Sequence, residues 1–335
     1  MRWRSCRRER SSDANSMAIL AIDIGGTKTI VAVHTNGGLV GRTRVESQSA
    51  ATPMDYLDGI KDAARAALRA AGNSKLTGIG IGCGGPLDKK SGSVVAAPNL
   101  PGWDNLPLTR IFSEEFGAPA YLDNDATAAA LGELVFGAGR GVENFVYFTV
   151  STGIGGGIVI GGKIYRGSDD NAAEFGHHKI VADGPPCTCG DRGCLESFAS
   201  GKSIARRAKE AALLLDLANR PSWADDLDGL TAERVASEAA RGEPLALEVW
   251  LDCMTYLGIG VANVVSILNP ELVIIGGGVS KAGDLLFEPV RKVAHERAMY
   301  PLAENVRIVP AKLGDDVGLM GAVALAMESA AENTG

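Results

Sequence analysis

Residues 18–45 read AILAIDIGGTKTIVAVHTNGGLVGRTRV. The apolar run Ala18–Ile24 predicts a buried strand, and Gly25-Gly26 turns the chain. Ile30–Val33 then returns, and Gly37-Gly38 turns it again before Leu39–Val45. This is a three-strand meander with a glycine corner, Asp23-Ile24-Gly25-Gly26-Thr27-Lys28, at its first bend. The same order recurs further on. Phe145–Val150 is a strand, STGIGGG (Ser151–Gly157) a turn, Ile158–Ile160 a return, Gly161-Gly162 a turn, and Lys163–Arg166 a third strand.

Around the meanders lie helical patterns at Met54–Ala71, ending at Gly72, and at Asp125–Phe136. Strands are expected at Thr77–Gly82, Ala120–Leu122, Glu271–Ile275 and Val306–Pro310. Helices dominate from about Leu195 to Leu268, and Val317–Ala331 is a last helix. The expectation is an α/β protein of two similar halves with a cleft between them. Residues 17–134 plus 316–335 would form one domain and 135–315 the other, with 1–16 a disordered extension.

Glycine turns from both halves would converge at that cleft. Glycine lacks a Cβ, so the backbone can approach a phosphate closely, and successive N–H groups form an anion-binding nest. Thr27 adds a hydroxyl, Lys28 a positive charge, and Asp23 a carboxylate suited to Mg²⁺. Each corner alone could be a plain hairpin; two at matching places suggest a clamp on one polyphosphate. Gly276-Gly277-Gly278, after a strand, is a third candidate for the nucleoside side. Gly80–Gly85 fits GxGxxG, but Pro86 and Leu87-Asp88 follow instead of a helix, which excludes a dinucleotide fingerprint.

Three of the six cysteines fall within eight residues, Cys187, Cys189 and Cys194, with His177 ten residues upstream. Three thiolates and an imidazole make a closed tetrahedral Zn²⁺ site, structural because no position stays open. His178 is also available as a ligand. Glu174 and Glu196 flank this loop and can accept hydrogen bonds from a polyol, and Asn99 offers an amide to the same ligand. Asn124-Asp125 stands at a strand-to-helix junction. An acidic residue there caps the helix, or serves as general base toward a hydroxyl attacking a γ-phosphorus; the two roles are compatible.

Net charge is −7, which gives no overall pull toward nucleic acid or an anionic membrane. No apolar run is read as reaching the roughly 18 residues of a membrane helix. Five arginines in MRWRSCRRER (1–10) are the one basic cluster, without the apolar segment of a secretory signal.

Together AIDIGGTKT (21–29), GIGCGGPLD (80–88), PNLPGW (98–103), LDNDATAAALGE (122–133), STGIGGG, EFGHH (174–178) and CTCGDRGCLE (187–196) resemble the ROK family of repressors, open reading frames and kinases. The resemblance implies the two-domain actin-like, ribonuclease H-like ATPase fold. It implies Asp125 as catalytic base, with Asn99, Asn124, Glu174, His177 and Glu196 around a sugar. His177 would serve sugar and zinc together. Asp23, Gly25, Gly26, Thr27, Lys28, Thr152 and Gly153 would face the ATP phosphates, and Gly277 and Gly278 the nucleoside. Ser151 departs from the glycine expected before Thr-Gly, and Gly85 from a frequent proline. The implied activity is ATP-dependent hexose phosphorylation, glucose first, in a cytoplasmic homodimer or homotetramer. Other hexoses (N-acetylglucosamine, mannose, fructose) are the near alternative, and a sugar-responsive regulator the distant one. Regulators of this kind carry a helix-turn-helix domain of roughly 70–80 residues, against sixteen residues before the first strand here.

Overall fold

The computed structural model describes residues 17–47, 50–72, 74–95, 97, 100–216 and 219–332. The expected extension 1–16 and Asn99 lie outside the described residues. The first meander forms as β1 (Met17–Ile24), β2 (Lys28–Thr35) and β3 (Gly38–Glu46). There follow α1 (Pro53–Ala70), β4 (Lys75–Cys83), a small hairpin of β5 (Leu87–Asp88) and β6 (Ser93–Val94), α2 (Leu108–Phe116), β7 (Ala120–Asn124) and α3 (Asp125–Phe136). The second meander is β8 (Phe145–Val150), β9 (Ile154–Ile160) and β10 (Lys163–Tyr165). It leads through α4 (Glu196–Ala199), α5 (Gly201–Leu213), α6 (Ala232–Ala240) and α7 (Pro244–Leu268) to β11 (Leu272–Gly276), α8 (Asp284–Arg297), α9 (Leu302–Asn305), β12 (Arg307–Pro310) and α10 (Val317–Glu332).

Two five-stranded sheets share one plan, β3-β2-β1-β4-β7 and β10-β9-β8-β11-β12. In each, an antiparallel meander is extended by two strands parallel to its first, β4 and β7 beside β1, β11 and β12 beside β8. The chain crosses between sheets at β7–α3–β8 and at β12–α10.

Small residues let the two crossing helices approach. A Cβ on Gly132 of α3 would lie 2.8 Å from Gly321 N, and one on Gly321 of α10 would lie 2.3 Å from Ala128 O. Leu319, Ala322 and Val323 of α10 pack on the first sheet, and Ala324 and Leu325 join α3 and the second sheet. Glu133, fully buried on α3, ties the two crossings together. Its Oε2 accepts from Ala138 N at 2.6 Å and its Oε1 from Leu313 N at 2.9 Å. Both bonds are charge-assisted, which is how a buried carboxylate is tolerated.

Two sequence expectations change. The turn read as Ser151–Gly157 ends at Gly153, and β9 begins at Ile154. Gly155 and Gly157 are there for packing: Cβ atoms on them would come 3.0 and 2.4 Å from Ala126 and Ala130 Cβ of α3. Secondly, α7 is long and apolar enough to cross a membrane by length and composition, with half of its most apolar stretch buried. Glu248, Asp252 and Asn263 interrupt the run, so it did not read as continuous. In the fold α7 forms the spine of the second core, with Trp250, Met254, Leu257, Val261 and Val265 buried.

Candidate functional site

The first glycine corner closes with Gly25 N donating to Lys28 O at 2.9 Å, leaving Thr27 and Lys28 exposed. Asp23, at the end of β1, lies between two glycines. A Cβ on Gly318, in the first turn of α10, would meet Asp23 Oδ2 at 2.2 Å; one on Gly82 of β4 would meet Oδ1 at 3.9 Å. The same Gly82 lies 3.7 Å from the Cα of Asp125 by that measure. Asp23 and Asp125 thus stand on either side of one bare strand end. Burial raises the Asp23 carboxyl to about 7, with the Asp125 charge adding and Lys28 and Arg42 opposing. The Asp125 charge works against ionisation of Asp23, and a bound cation would favour it.

Asp125 opens α3, and Asn124 performs the capping. Asn124 Oδ1 accepts from Ala126 N at 2.9 Å and Thr127 N at 3.2 Å. Asp125 Oδ1 also takes Ala126 N, at 2.8 Å. Burial lifts the Asp125 carboxyl above the usual carboxylate range, partly opposed by backbone N–H groups.

At the second corner Ser151 N donates to Gly153 O at 2.9 Å. Glu196 fills the space over Gly153, where a Cβ would sit 2.5 Å from its Oε2. That oxygen accepts from Ile154 N at 2.8 Å, and Oε1 accepts from Thr188 Oγ1 at 3.3 Å. The third glycine loop backs onto this corner. Gly277 has φ 88°, and a Cβ there would lie 2.4 Å from Val150 O; Gly278 faces Ser151 Oγ. Beside them opens a cavity of about 760 Å³. Ser151, Thr152, Lys202, Lys281 and Gly278 supply polar lining, and Ala236, Trp250, Val279 and Leu285 apolar lining. That size and mixture suit a small ligand with a flat base and charged groups.

Glu174 joins the carboxylates. Burial raises its carboxyl; His177 opposes, and the charges of Asp125 and Glu196 add. Glu174 therefore feels both neighbouring acids, and a hydroxyl donor beside it would relieve the crowding. His177 Nε2 is 4.0 Å from Glu174 Oε2, while its Nδ1 faces Cys187 Sγ at 3.5 Å.

The ligand atoms of His177, Cys187, Cys189 and Cys194 all lie within 4.8 Å of one another. Cys189 and Cys194 Sγ are 3.6 Å apart, the separation expected of thiolates about 2.3 Å from one tetrahedral Zn²⁺. Against burial, hydrogen bonds from Cys189, Ser197 and His177 pull the Cys187 thiol down to about 6. Burial pushes the Cys194 thiol up to about 11, although Lys179 Nζ lies 3.0 Å away. Loop geometry enforces the cluster: at Gly193, φ is 72° and a Cβ would strike Val181 O at 1.6 Å. The donor set fits zinc. His178 stands outside the cluster, its Nδ1 turned to Phe175 O.

Ser151 belongs to the turn expected to face phosphates, whereas Gly318, Lys202 and Lys281 are not among the expected site residues, because none of them sits in a local pattern that points to the cavity or to Asp23.

The ROK family pattern matches residues 19–329. The chain is 35% identical over 318 residues to a glucokinase of Thermotoga maritima, covering 93% of this chain and 98% of that one. It is 38% identical over 250 residues to a xylose repressor of Caldicellulosiruptor bescii, across 75% of this chain and 62% of the repressor. The crystal structure of a ROK family glucokinase from Streptomyces griseus, in complex with glucose and AMPPNP, is similar with TM-score 0.79 and 35% identity, over 93% and 99% of the two chains. With two sheets of one plan, paired glycine corners and the Cys₃His loop in their expected order, the chain belongs to the ROK family.

Proposed function

We propose that this protein phosphorylates a hexose with ATP, glucose being the preferred substrate. One observation carries the reading: Asp23 and Asp125 flank the bare end of β4 beneath the first glycine corner, and Glu174 and Glu196 lie within electrostatic reach on the sugar side. Relatives that are glucokinases match nearly end to end, which supports the kinase reading.

On this reading the sugar sits against Asn99, Asn124, Glu174, His177 and Glu196. Asp125 takes the proton from the attacking hydroxyl; its raised pKa makes it a better acceptor than an ordinary carboxylate. Gly25 to Lys28 and Thr152-Gly153 hold the phosphates by backbone N–H groups, and Gly277-Gly278 with the 760 Å³ cavity hold the nucleoside. Asp23 would hold Mg²⁺ directly or through water; that cation supplies charge neutralisation on the phosphates. His177, Cys187, Cys189 and Cys194 would hold structural Zn²⁺, which fixes Nδ1 and leaves Nε2 for a hydroxyl. Residues 17–134 plus 316–335 and residues 135–315 are the two domains about the cleft, and the enzyme is a cytoplasmic homodimer or homotetramer.

The test is a coupled assay over glucose, mannose, fructose and N-acetylglucosamine, with ATP or polyphosphate as donor. The highest kcat/KM is expected for glucose with ATP. No turnover of any hexose with either donor overturns the proposal.

A further inference from the structure

Asp123, two residues before Asp125, is 1% exposed and carries a charge that the reaction described above does not use. Its Oδ2 accepts from Lys89 Nζ at 2.9 Å and from Arg166 Nε at 3.0 Å. Its Oδ1 accepts from Asn124 N at 3.0 Å. Arg166 continues to Glu328 of α10 at 2.9 Å. One buried oxygen therefore gathers two cations from distant parts of the chain.

The segments those cations begin are informative. Asp123 itself ends β7 and leads directly to Asn124 and Asp125. Lys89 follows β5, and the β5–β6 hairpin pairs through Val94 with Leu106, at the far end of the Leu100–Trp103 turn. Arg166 follows β10 at the edge of the other sheet and begins the connection to Glu174 and His177. That connection holds two residues with side chains in the left-handed region, Asp170 at φ 63° and Ala173 at φ 71°. Such backbone persists only where its surroundings hold it. Ala172 N donates back to Arg166 O at 3.0 Å, so the loop is closed upon the anchored arginine.

We infer that Asp123 is a positioning residue that sets the relative placement of three segments around the sugar: the Asn124–Asp125 junction, the β5–β6 side and the Glu174–His177 loop of the opposite sheet. This rests on the sugar-kinase reading for its ligand, but the tie itself does not depend on phosphoryl transfer. Replacing the carboxylate by an amide leaves Lys89 and Arg166 as like charges facing one neutral group. Lys89 is free to turn to solvent, and Arg166 keeps only Glu328. The two loops then lose their common register while Asp125 and its cap remain.

The experiment compares wild type with Asp123→Asn, and with the milder Lys89→Met and Arg166→Gln on partly exposed partners. Glucose affinity is read by calorimetry without nucleotide, and KM for glucose, KM for ATP and kcat by coupled assay. Asp123→Asn is expected to weaken glucose binding about tenfold or more, with KM for ATP within about twofold, because displacements near 1 Å in positioning groups carry effects of this order. Lys89→Met and Arg166→Gln should each do part of this, and Asp123→Asn combined with Arg166→Gln should fall well short of the product of the single effects. Equal loss of glucose and ATP affinity, or lowered Tm with unchanged glucose affinity in every variant, overturns the inference. If wild type binds glucose but transfers no phosphate, the kinase reading fails while the binding comparison still decides the role of Asp123.

Discussion

Gly318→Ala separates activity from stability in a way the site geometry dictates. The new methyl would stand 2.2 Å from Asp23 Oδ2, 2.4 Å from Cγ and 2.9 Å from Oδ1. Ordinary contact needs about 3.5 Å, so the carboxylate must move by more than ~1 Å. It is a short side chain and can rotate, so the fold survives. Gly318 lies in the first turn of α10, where alanine favours the helix by less than the about 1 kcal/mol it gains in a helix interior, offsetting part of the local strain. Stability should therefore change little. Activity should not survive, because a misplacement near 1 Å can cost roughly 10²-fold in turnover, about 2.7 kcal/mol of barrier. The assay is kcat against Mg²⁺ concentration at saturating glucose, with Tm measured in parallel. Asp23→Asn should reproduce the loss, and the double variant should add little to either. If Gly318→Ala keeps wild-type kcat and an unchanged Mg²⁺ response, the placement of Asp23 against α10 has no part in catalysis.

Asp125→Asn should lower kcat by about 10²–10⁴-fold, the range for loss of a general base, while glucose binding by calorimetry persists; near-normal turnover would dismiss the base assignment. Cys187→Ser should abolish zinc by elemental analysis, lower Tm and raise KM for glucose, and a zinc-free sample with full activity and wild-type Tm would dismiss the structural metal. Asp23 binds its proton more tightly folded than unfolded, since burial raises its pKa from 3.8 to about 7. The folded state thus holds the extra proton between those values, and stability of the ligand-free protein falls as pH rises across about 4 to 7. Asp23→Asn should flatten that slope in urea titrations at several pH values; an unchanged slope would show that Asp23 does not cause it.

The meanders, the Cys₃His loop and the Asn124–Asp125 junction were legible in the sequence because each is a local pattern: alternation, ligand spacing, a cap beside an acid. The glycines divide more subtly. Gly25 and Gly153 were read as corners and lie at them, but Gly155 and Gly157 were read as part of the turn and in fact seat β9 against α3. No sequence pattern distinguishes a glycine that bends from one that admits a neighbour's methyl. Gly318 beside Asp23, Glu133 reaching Leu313, and Lys89 and Arg166 meeting at Asp123 span dozens to hundreds of residues and have no periodic signature. α2 and α8 were also passed over; α2 is a short helix, and α8 has Pro289 in its interior.

The tight crossing at Gly132 and Gly321 makes α3 a lever. From Gly132 to Asp125 the helix runs seven residues, about 10 Å at ~1.5 Å each. A swing of 10° about the crossing would carry the carboxylate through roughly 2 Å, the difference between touching a hydroxyl and missing it. On the proposed reading, a small tilt of one sheet against the other would decide whether Asp125 meets a hydroxyl, and bound nucleotide would be kept from water until a sugar is seated.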